Sequence, residues 1–140
     1  MIRRPRLLPL ALLLALLAQF GGLVASARAG HTPGAAFPTL RSDAVKRLLD
    51  VKEPVVLVDM RKPAEYQAGH LPGAISLPMA DLARRYREIP KAARVILYCQ
   101  CPLEDMGGVY SFLSDLGYKN HAVLEDGFDG WYRSQYPLVK

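Results

Sequence analysis

Four short apolar runs, separated by helix-like segments, limit the fold of this chain more than any other feature. They are VVLVD (55–59), AISLP (74–78), RVILY (94–98) and HAVLE (121–125). A continuous apolar run of this length is typical of a strand that is buried on both faces of a sheet. Strands that alternate with helices predict an α/β domain with a mostly parallel sheet flanked by helices.

Helix-like segments lie between these runs. Ser42 can cap a first helix that continues through Leu49, and Pro63 suits the first turn of a short helix that Gly69 ends. The remaining segments are an amphipathic pattern at 80–89, a helix at 109–117 and a short closing helix within 127–136. This alternation of strands and helices is the basis of the α/β prediction.

Two of the predicted strands end in side chains that can do chemistry. Asp59 and Cys99 each stand directly at or after the end of an apolar run. In parallel sheets of this kind, ligands bind at the carboxyl ends of the strands. A cysteine there, followed by the start of a helix, can act as a nucleophile, because the helix N-terminus and the loop amides lower the pKa of its thiol. We therefore expect the functional site at this edge, with Cys99 in it.

The first 29 residues have the three parts of a secretory signal peptide. A basic start with three arginines precedes an apolar stretch at 7–17, and small residues then follow. The triplets 25–27 and 27–29 both fit an A-x-A cleavage site. We expect cleavage and an exported protein, periplasmic or secreted. The protein would be attached to a membrane only if this segment stayed uncleaved.

Removing the signal segment changes what the charge implies. The whole chain has a formal net charge of +5, but four of its 18 basic residues lie at 1–29 and all 13 acidic residues lie beyond. The mature chain of 111 residues therefore has 14 basic and 13 acidic residues. A basic pI that belongs to the export signal does not indicate a nucleic-acid partner. The length allows one domain, at 40–140, after a flexible lead-in at 30–39.

The two cysteines, Cys99 and Cys101, are separated by a single residue. Cysteines of exported proteins usually pair as disulfides that stabilise the fold. A bridge between these two would close almost no loop and would stabilise little, so the pair is more typical of chemistry than of structural support. A single C-x-C is a weak metal signal and no second pair completes a site, so we expect no metal and no other cofactor.

The segment VLVDMRKPAEYQAGHLPGAISLP (56–78) contains D-x-R, then E-Y, then G-H-L-P-G-A and an apolar-Pro ending. It is similar to the N-terminal motif of the rhodanese-like domain family. The resemblance continues in the strand-Cys-loop-helix unit at 95–117 and in LEDGFDGW (124–131), where Asp126 replaces a glycine that is usual in the family. In all it spans about residues 40–136. It implies a five-stranded parallel sheet between helices and a sulfurtransferase, in which a cysteine takes up a sulfane sulfur as a persulfide and passes it to a nucleophilic acceptor.

The resemblance places Cys99 at the position of the family's nucleophile. The loop after it departs from the common pattern C-x-x-G-x-R: it is one residue longer, contains no glycine or basic residue, and resembles a C-x-C-P-x-E variant. No substrate-binding arginine can be assigned, so binding of the substrate falls to the backbone amides of the loop. The residues of this cradle are Gln100, Cys101, Pro102, Leu103, Glu104 and Asp105.

Two acidic residues of the loop, Glu104 and Asp105, leave the donor open. A carboxylate about 6 Å from the sulfur opposes the thiolate by roughly 3 kcal/mol at an effective dielectric of about 20. A helix N-terminus contributes at most about 2 kcal/mol in its favour. Turned outwards, the acids would be screened by solvent and do little harm. Either they point outwards and the amides bind the donor, or the donor is neutral or cationic, in which case a low-molecular-weight or protein-bound persulfide fits better than thiosulfate.

Several functions and roles therefore stay open. The chain could be a sulfurtransferase acting on a small sulfur-containing donor and acceptor or on a partner protein's thiol. It could instead be a non-catalytic rhodanese-like binding module, or a thiol-disulfide protein that uses Cys99 and Cys101. Cys101 itself could be a resolving thiol that releases sulfide from the persulfide, a metal-binding partner, or a small loop residue.

Other side chains are predicted to be structural. In the family, residues at the positions of Asp59 and Arg61 support the fold more than the chemistry, and we expect an ion pair between Arg61 and Glu65 at the entry of the short helix. His70 could be a general base, but in a Gly-Pro turn it is better suited to bond the backbone. The last two expected core residues are Trp131 and Tyr132, near the final helix.

Overall fold

The computed structural model of this protein describes residues 37–140. The predicted signal peptide at 1–29 and most of the predicted lead-in lie outside these residues. Within 37–140, no helix is both long and apolar enough to span a membrane. The Phe37 side chain is buried in the core, so the last part of the expected lead-in is packed against the domain.

Five parallel strands form one sheet, as predicted, in the order β1-β5-β4-β2-β3. They are β1 (Thr39–Leu40), β2 (Val55–Asp59), β3 (Ile75–Ser76), β4 (Arg94–Tyr98) and β5 (His121–Leu124). β1 has only two residues, too few to show an apolar pattern, so it was not among the four predicted runs. β2 and β4 are neighbours in the middle of the sheet, with Asp59 beside Tyr98. The segments that follow these two strands therefore leave the sheet side by side.

The sheet separates two apolar layers, which explains the continuous apolar runs. Along β4, Val95 and Leu97 face one layer, whereas Ile96 and Tyr98 face the other. The helices that cover the sheet are α1 (Ser42–Asp50), α2 (Pro63–Ala68), α3 (Leu82–Arg85), α4 (Met106–Asp115) and α5 (Gly127–Arg133). The first layer contains apolar residues of α3 and α4, and the second contains those of α1 and α5.

The amphipathic pattern at 80–89 does not form one helix. Instead α3 covers four residues between two 3-10 turns, Met79–Asp81 and Tyr86–Glu88. The hydroxyl of Tyr118 lies 2.7 Å from the carbonyl oxygen of Tyr86 and 2.9 Å from that of Ile89. Both carbonyls lie in the last turn of the segment, where Pro90 offers no N–H to continue a helix, so the Tyr118 hydroxyl satisfies them from outside the segment.

The predicted cap of α1 is also different in the structure. Ser42 is the first residue of the helix rather than its cap, and its amide and hydroxyl donate to Oδ1 of Asp126 at 3.0 and 2.8 Å. The carboxylate of Asp126, 84 residues later in the chain, therefore accepts the hydrogen bonds that the free amide at the start of α1 needs. This contact gives a structural role to the residue that replaces a glycine in the LEDGFDGW segment.

The final helix buries one of its two predicted core residues. Trp131 is fully buried and its indole N–H donates to the carbonyl of Pro137 at 2.9 Å. Tyr132 is 63% exposed, so the prediction that it closes the core is wrong. Consecutive residues of a helix point in directions about 100° apart, so neighbours rarely share one buried face.

Candidate active site

Asp59 ends β2 and is fully buried in a closed polar network. Its carboxylate accepts hydrogen bonds from the backbone amide of Arg61 (3.0 Å), from Nε and Nη2 of the same residue (3.0 and 2.6 Å) and from the Tyr98 hydroxyl (2.7 Å). Burial, and then the neighbouring carboxylate, raise the pKa of the Tyr98 phenol, so the hydroxyl remains a donor. Burial opposes the charge of Arg61, but the bonds to Asp59 outweigh it and raise the pKa of the guanidinium. The ion pair is thus desolvated and satisfied from within.

Arg61 joins three parts of the molecule and does not pair with Glu65 as predicted. Its Nη2 also donates to the carbonyl of Gly69 at 2.8 Å, and its guanidinium lies 3.6 Å from the centre of the Phe128 ring. Glu65 instead accepts from the backbone amide of Lys62 at 2.9 Å, which caps the start of α2. The guanidinium turns inwards because the buried Asp59 carboxylate needs a cation, whereas Glu65 is partly in contact with solvent.

His70 lies in the turn between α2 and β3, where its contacts are with the main chain and one ring. Its Nδ1 is 3.0 Å from the carbonyl oxygen of Tyr66, and its ring stacks on the Tyr66 ring at 3.7 Å between centres. Its backbone amide and carbonyl pair with those of Val139 at 2.9 and 3.0 Å. These contacts hold a turn together, and the residue is not among those that line the pocket beside Cys99.

Cys99 follows β4 directly, and its position is held from the side of α5. Its carbonyl oxygen accepts the backbone amide of Phe128 at 2.8 Å. Gly127 has φ +57°, and a Cβ at this position would lie 2.8 Å from the same carbonyl oxygen. A side chain there would meet both the strain of the left-handed region and a steric clash. Gly127 therefore allows the close approach of α5 to the Cys99 backbone, a role that the sequence pattern did not predict although Gly127 lies in the LEDGFDGW segment.

The loop after Cys99 begins with a disulfide between Cys99 and Cys101. The two Cα atoms are 5.5 Å apart, within the range of roughly 4.4 to 6.8 Å that disulfides span. Between them, Gln100 donates from Nε2 to Oδ1 of Asp129 at 2.7 Å, which ties the loop to α5. In residues 37–140, no group of three or more His, Cys, Asp or Glu side chains is arranged to hold a metal ion.

The acidic residues of the loop lie on its outer side. Glu104 and Asp105 are exposed, form part of a 3-10 turn (Leu103–Asp105) that leads into α4, and do not line the pocket beside Cys99. Two members of the predicted amide cradle have no free donor. Pro102 has no N–H, and the amide of Asp105 already donates to the carbonyl of Pro102 at 3.1 Å. A cradle can therefore draw only on the amides of Gln100, Cys101, Leu103 and Glu104.

A pocket of about 530 Å³ opens beside the two cysteines. Its lining consists of Met60, Arg61, Lys62, Glu65, Pro78, Met79, Ala80, Cys99, Gln100 and Cys101. Most of the lining is carbon or sulfur, and the guanidinium of Arg61 is already neutralised by Asp59. The pocket can therefore hold an uncharged group next to the sulfur of Cys99, but it offers little to a small dianion.

Comparisons with known proteins agree with this architecture. A family profile described as "Rhodanese-like domain" matches residues 42–134. A sulfurtransferase of Allochromatium vinosum is 35% identical over 98 residues, which cover 70% of this chain and 91% of that protein. The thiosulfate sulfurtransferase GlpE of Pseudoalteromonas translucida is 36% identical over 84 residues, covering 60% of this chain and 78% of that protein.

Among solved structures, a rhodanese-related protein of Thermoplasma volcanium superposes with a TM-score of 0.64 over 74% of this chain and 98% of that one. At 21% identity this similarity concerns the fold alone. The sequence relatives, by contrast, support a rhodanese-type sulfurtransferase.

Proposed function

This chain belongs to the rhodanese-like domain family, and we propose that it carries sulfane sulfur as a persulfide on Cys99 and passes it to a thiol or another nucleophilic acceptor. The observation that supports this most is the position of Cys99, which stands at the carboxyl end of the central strand and faces a pocket. A position of this kind is where parallel α/β sheets bind their ligands. The reduced form of the protein is the active one, because a sulfur in a disulfide cannot act as a nucleophile.

The first step is the attack of the Cys99 thiolate on the outer sulfur of a donor R–S–SH. The donor's S–S bond breaks, R–S⁻ leaves with the electron pair, and Cys99 becomes a persulfide. In the second step a nucleophilic acceptor attacks the outer sulfur of the persulfide, and Cys99 leaves as a thiolate. The start of α4 at Met106 and the loop amides favour the anionic sulfur in both steps.

The donor in this proposal is an organic persulfide rather than thiosulfate. Thiosulfate carries two negative charges, and the loop at 99–105 contains no basic side chain to receive them. Of the cations in the lining, Arg61 is balanced by Asp59, and the lining that contains Lys62 also contains Glu65. A donor with little charge avoids this deficit, and the exposed acids of the loop, screened by solvent, do not hinder it.

Cys101 is proposed to be a resolving thiol, for which the disulfide with Cys99 is the specific support. The Cys101 thiolate attacks Sγ of the Cys99 persulfide, the bond to the outer sulfur breaks, and hydrosulfide leaves as the disulfide forms. A dithiol reductant then supplies two electrons and restores both thiols. The same disulfide is what a thiol-disulfide protein would use, so this second function is tested beside the first.

Intact mass spectrometry of the reduced mature protein tests these steps. Wild type, Cys99→Ser and Cys101→Ser are each treated with an organic persulfide and, separately, with thiosulfate. We expect Cys101→Ser to gain the mass of one sulfur atom, Cys99→Ser to gain nothing, and wild type to release sulfide and end two hydrogens lighter. No gain in Cys101→Ser, with Cys99 still reactive to iodoacetamide, would leave a binding module or a thiol-disulfide protein.

The two remaining functions are separated by the redox behaviour of wild type. A reversible two-electron potential without sulfur uptake would indicate the thiol-disulfide protein, and inertness in both assays would indicate the binding module. A sulfur gain that persists in wild type without disulfide formation would keep Cys99 as the carrier but remove the resolving role of Cys101.

We also propose that the protein acts outside the cytosol, since the first 29 residues have the parts of a signal peptide. Expression of the full chain followed by cell fractionation and N-terminal sequencing tests this. A mature protein in the periplasm or medium that starts after residue 27 or 29 is the expected result. An uncleaved chain in the membrane fraction would mean that the segment is an anchor.

A further inference from the structure

We propose that the pocket beside Cys99 is a subsite for the organic group of the sulfur donor, and that Met60 and Met79 select donors with an apolar chain of several carbons. This inference rests on the proposed function, because it assumes that a donor delivers sulfur to Cys99. It goes further in naming the part of the donor that the protein recognises and the residues that do so.

The wall of the subsite is fixed by the backbone. The amide of Met60 donates to the carbonyl of Tyr98 at 2.8 Å, and the amide of Met79 donates to the carbonyl of Met60 at 3.0 Å. These bonds extend the hydrogen-bonding of three neighbouring strands by one step beyond their ends. Both methionines are thereby held on the side of the sheet edge from which Cys99 emerges, so the subsite exists before a ligand binds.

The side chains of this wall are apolar and adaptable. Met60 is 3% exposed and Met79 is 36% exposed, so the first belongs to the floor of the pocket and the second to its mouth. Pro78, which is buried, and Ala80 complete the same wall. Methionine side chains are unbranched and polarisable, and they shape themselves to carbon chains and to sulfur atoms. An apolar chain that enters here replaces water on both sides of the contact.

The charges around the pocket point to the same class of donor. Lys62 and Glu65 at the rim have opposite signs, and the charge of Arg61 is taken up by Asp59. The lining therefore has no excess positive charge for a sulfonate or a phosphate. The pocket of about 530 Å³ is also far larger than an inorganic sulfur anion needs. A small organic persulfide with an uncharged alkyl group fits both the volume and the electrostatics.

The test measures the rate at which reduced Cys101→Ser protein acquires one sulfur from methyl, propyl and hexyl persulfides and from thiosulfate. We expect kcat/KM, or the equivalent second-order rate constant, to rise about two- to fourfold for each methylene that is buried. Met79→Gln, which keeps the length of the side chain, should flatten this dependence and bring the hexyl persulfide rate close to the methyl persulfide rate. Val51→Gln is the matched control, since Val51 is 73% exposed and lies before β2, at the opposite end of the sheet.

A second measurement detects the binding of an apolar molecule in the subsite without sulfur transfer. Hexanol should protect reduced Cys99 from iodoacetamide in the Cys101→Ser protein, ethanol at the same concentration should not, and Met79→Gln should abolish the difference. Rates that do not depend on chain length, or a Met79→Gln variant that behaves like Val51→Gln, would overturn the subsite while leaving the sulfurtransferase intact. Protection by hexanol without sulfur uptake from any donor would instead overturn the proposed function and leave an apolar binding site whose ligand is not a sulfur donor.

Discussion

Two neighbouring strands of this protein, β2 and β4, are followed by contrasting side-chain arrangements. At the end of β2, Asp59 and Arg61 form a buried ion pair in which each charged group has its partners inside the protein. At the end of β4, Cys99 and Cys101 begin a loop that borders a pocket and continues into exposed acidic residues. The strands are in register, so Asp59 and Tyr98 are partners in the sheet and the two arrangements lie side by side.

The difference separates an end that supports the fold from an end that borders a cavity. The closed end gains its rigidity from charges that are desolvated and paired, an arrangement that is costly to disturb. The open end places the sulfur of Cys99, which is only 6% exposed, beside an apolar cavity that a ligand can enter. Tyr98 connects the two, because its hydroxyl donates to Asp59 while the next residue in the chain is Cys99.

The largest effect on stability is expected from removing one partner of the buried ion pair at the end of β2. Asp59→Ala leaves the guanidinium of Arg61 buried without its counter-charge, which should lower the free energy of unfolding by about 3–5 kcal/mol. Glu88→Ala is the control, because it breaks an ion pair with Arg85 that lies at the surface. Urea unfolding should show a large shift of the midpoint for the first variant and almost none for the second. Equal shifts would mean that the buried pair is not what supports this end.

A smaller effect should follow from adding a methyl group at Gly127, where it would contact the Cys99 carbonyl. Gly127→Ala places a Cβ against the carbonyl of Cys99 and strains the backbone, which should cost about 1–3 kcal/mol and slow sulfur uptake. Gly108→Ala serves as its pair, since Gly108 lies in α4 and a methyl group added there would have no neighbouring atom within 4 Å. That variant should gain up to about 1 kcal/mol of stability. The comparison fails if both alanines change sulfur uptake to the same degree.

The buried phenol of Tyr98 should make the free energy of unfolding depend on pH. The pKa of its phenol is raised by burial and by Asp59, while in the unfolded chain it is about 10. Below that pH both states keep the proton; above it only the unfolded state loses the proton, so stability falls by up to about 1.4 kcal/mol per pH unit. Urea unfolding between pH 8 and pH 11, chosen as roughly two units below and one above this pKa, should show a shallower fall for Tyr98→Phe. An unchanged slope would assign the loss to other groups.

The smallest effect is expected from the outer side of the open loop. Replacing Glu104 and Asp105 together by Gln and Asn should change the alkylation rate of reduced Cys99 by less than about twofold at physiological salt, because exposed charges are screened there. Gln100→Glu puts a carboxylate on the pocket side of the same loop and should slow alkylation more. If the double variant accelerates alkylation strongly, the acids act on the sulfur and the two sides of the loop are not distinct.

The sequence predicts those parts of the fold that follow from local pattern. Continuous apolar runs identify β2 and β4, and the order of strands and helices is enough for a parallel sheet and for Cys99 at its carboxyl edge. β1 is missed because a two-residue strand has no pattern of its own. The 80–89 segment is predicted as one helix from its amphipathic pattern alone, and the hydroxyl that binds the carbonyls of its last turn belongs to Tyr118, which is remote in sequence.

For the candidate site, the sequence predicts the position of Cys99 at the edge of the sheet but not the contacts around it. Arg61 and Glu65 have a spacing that suits an ion pair on a helix, yet tertiary burial of Asp59 decides the partner of the guanidinium. The apolar wall formed by Met60 and Met79 depends on two segments that meet only in the folded sheet. The outward direction of Glu104 and Asp105 likewise depends on the 3-10 turn that carries them. Contacts of this kind leave no periodic signal in the chain.

The hydrogen bond from the Phe128 amide to the Cys99 carbonyl has a consequence for how such loops can evolve. The backbone of Cys99, the proposed nucleophile, is anchored by the strand before it and by the helix behind it, whereas its sulfur is bonded to Cys101 of the loop. A loop that starts from such a backbone anchor can be lengthened, shortened or exchanged for another while the Cys99 backbone keeps its place. Grafting a shorter loop with an arginine between Cys99 and α4 is therefore a direct route to redesigning the donor preference of this scaffold.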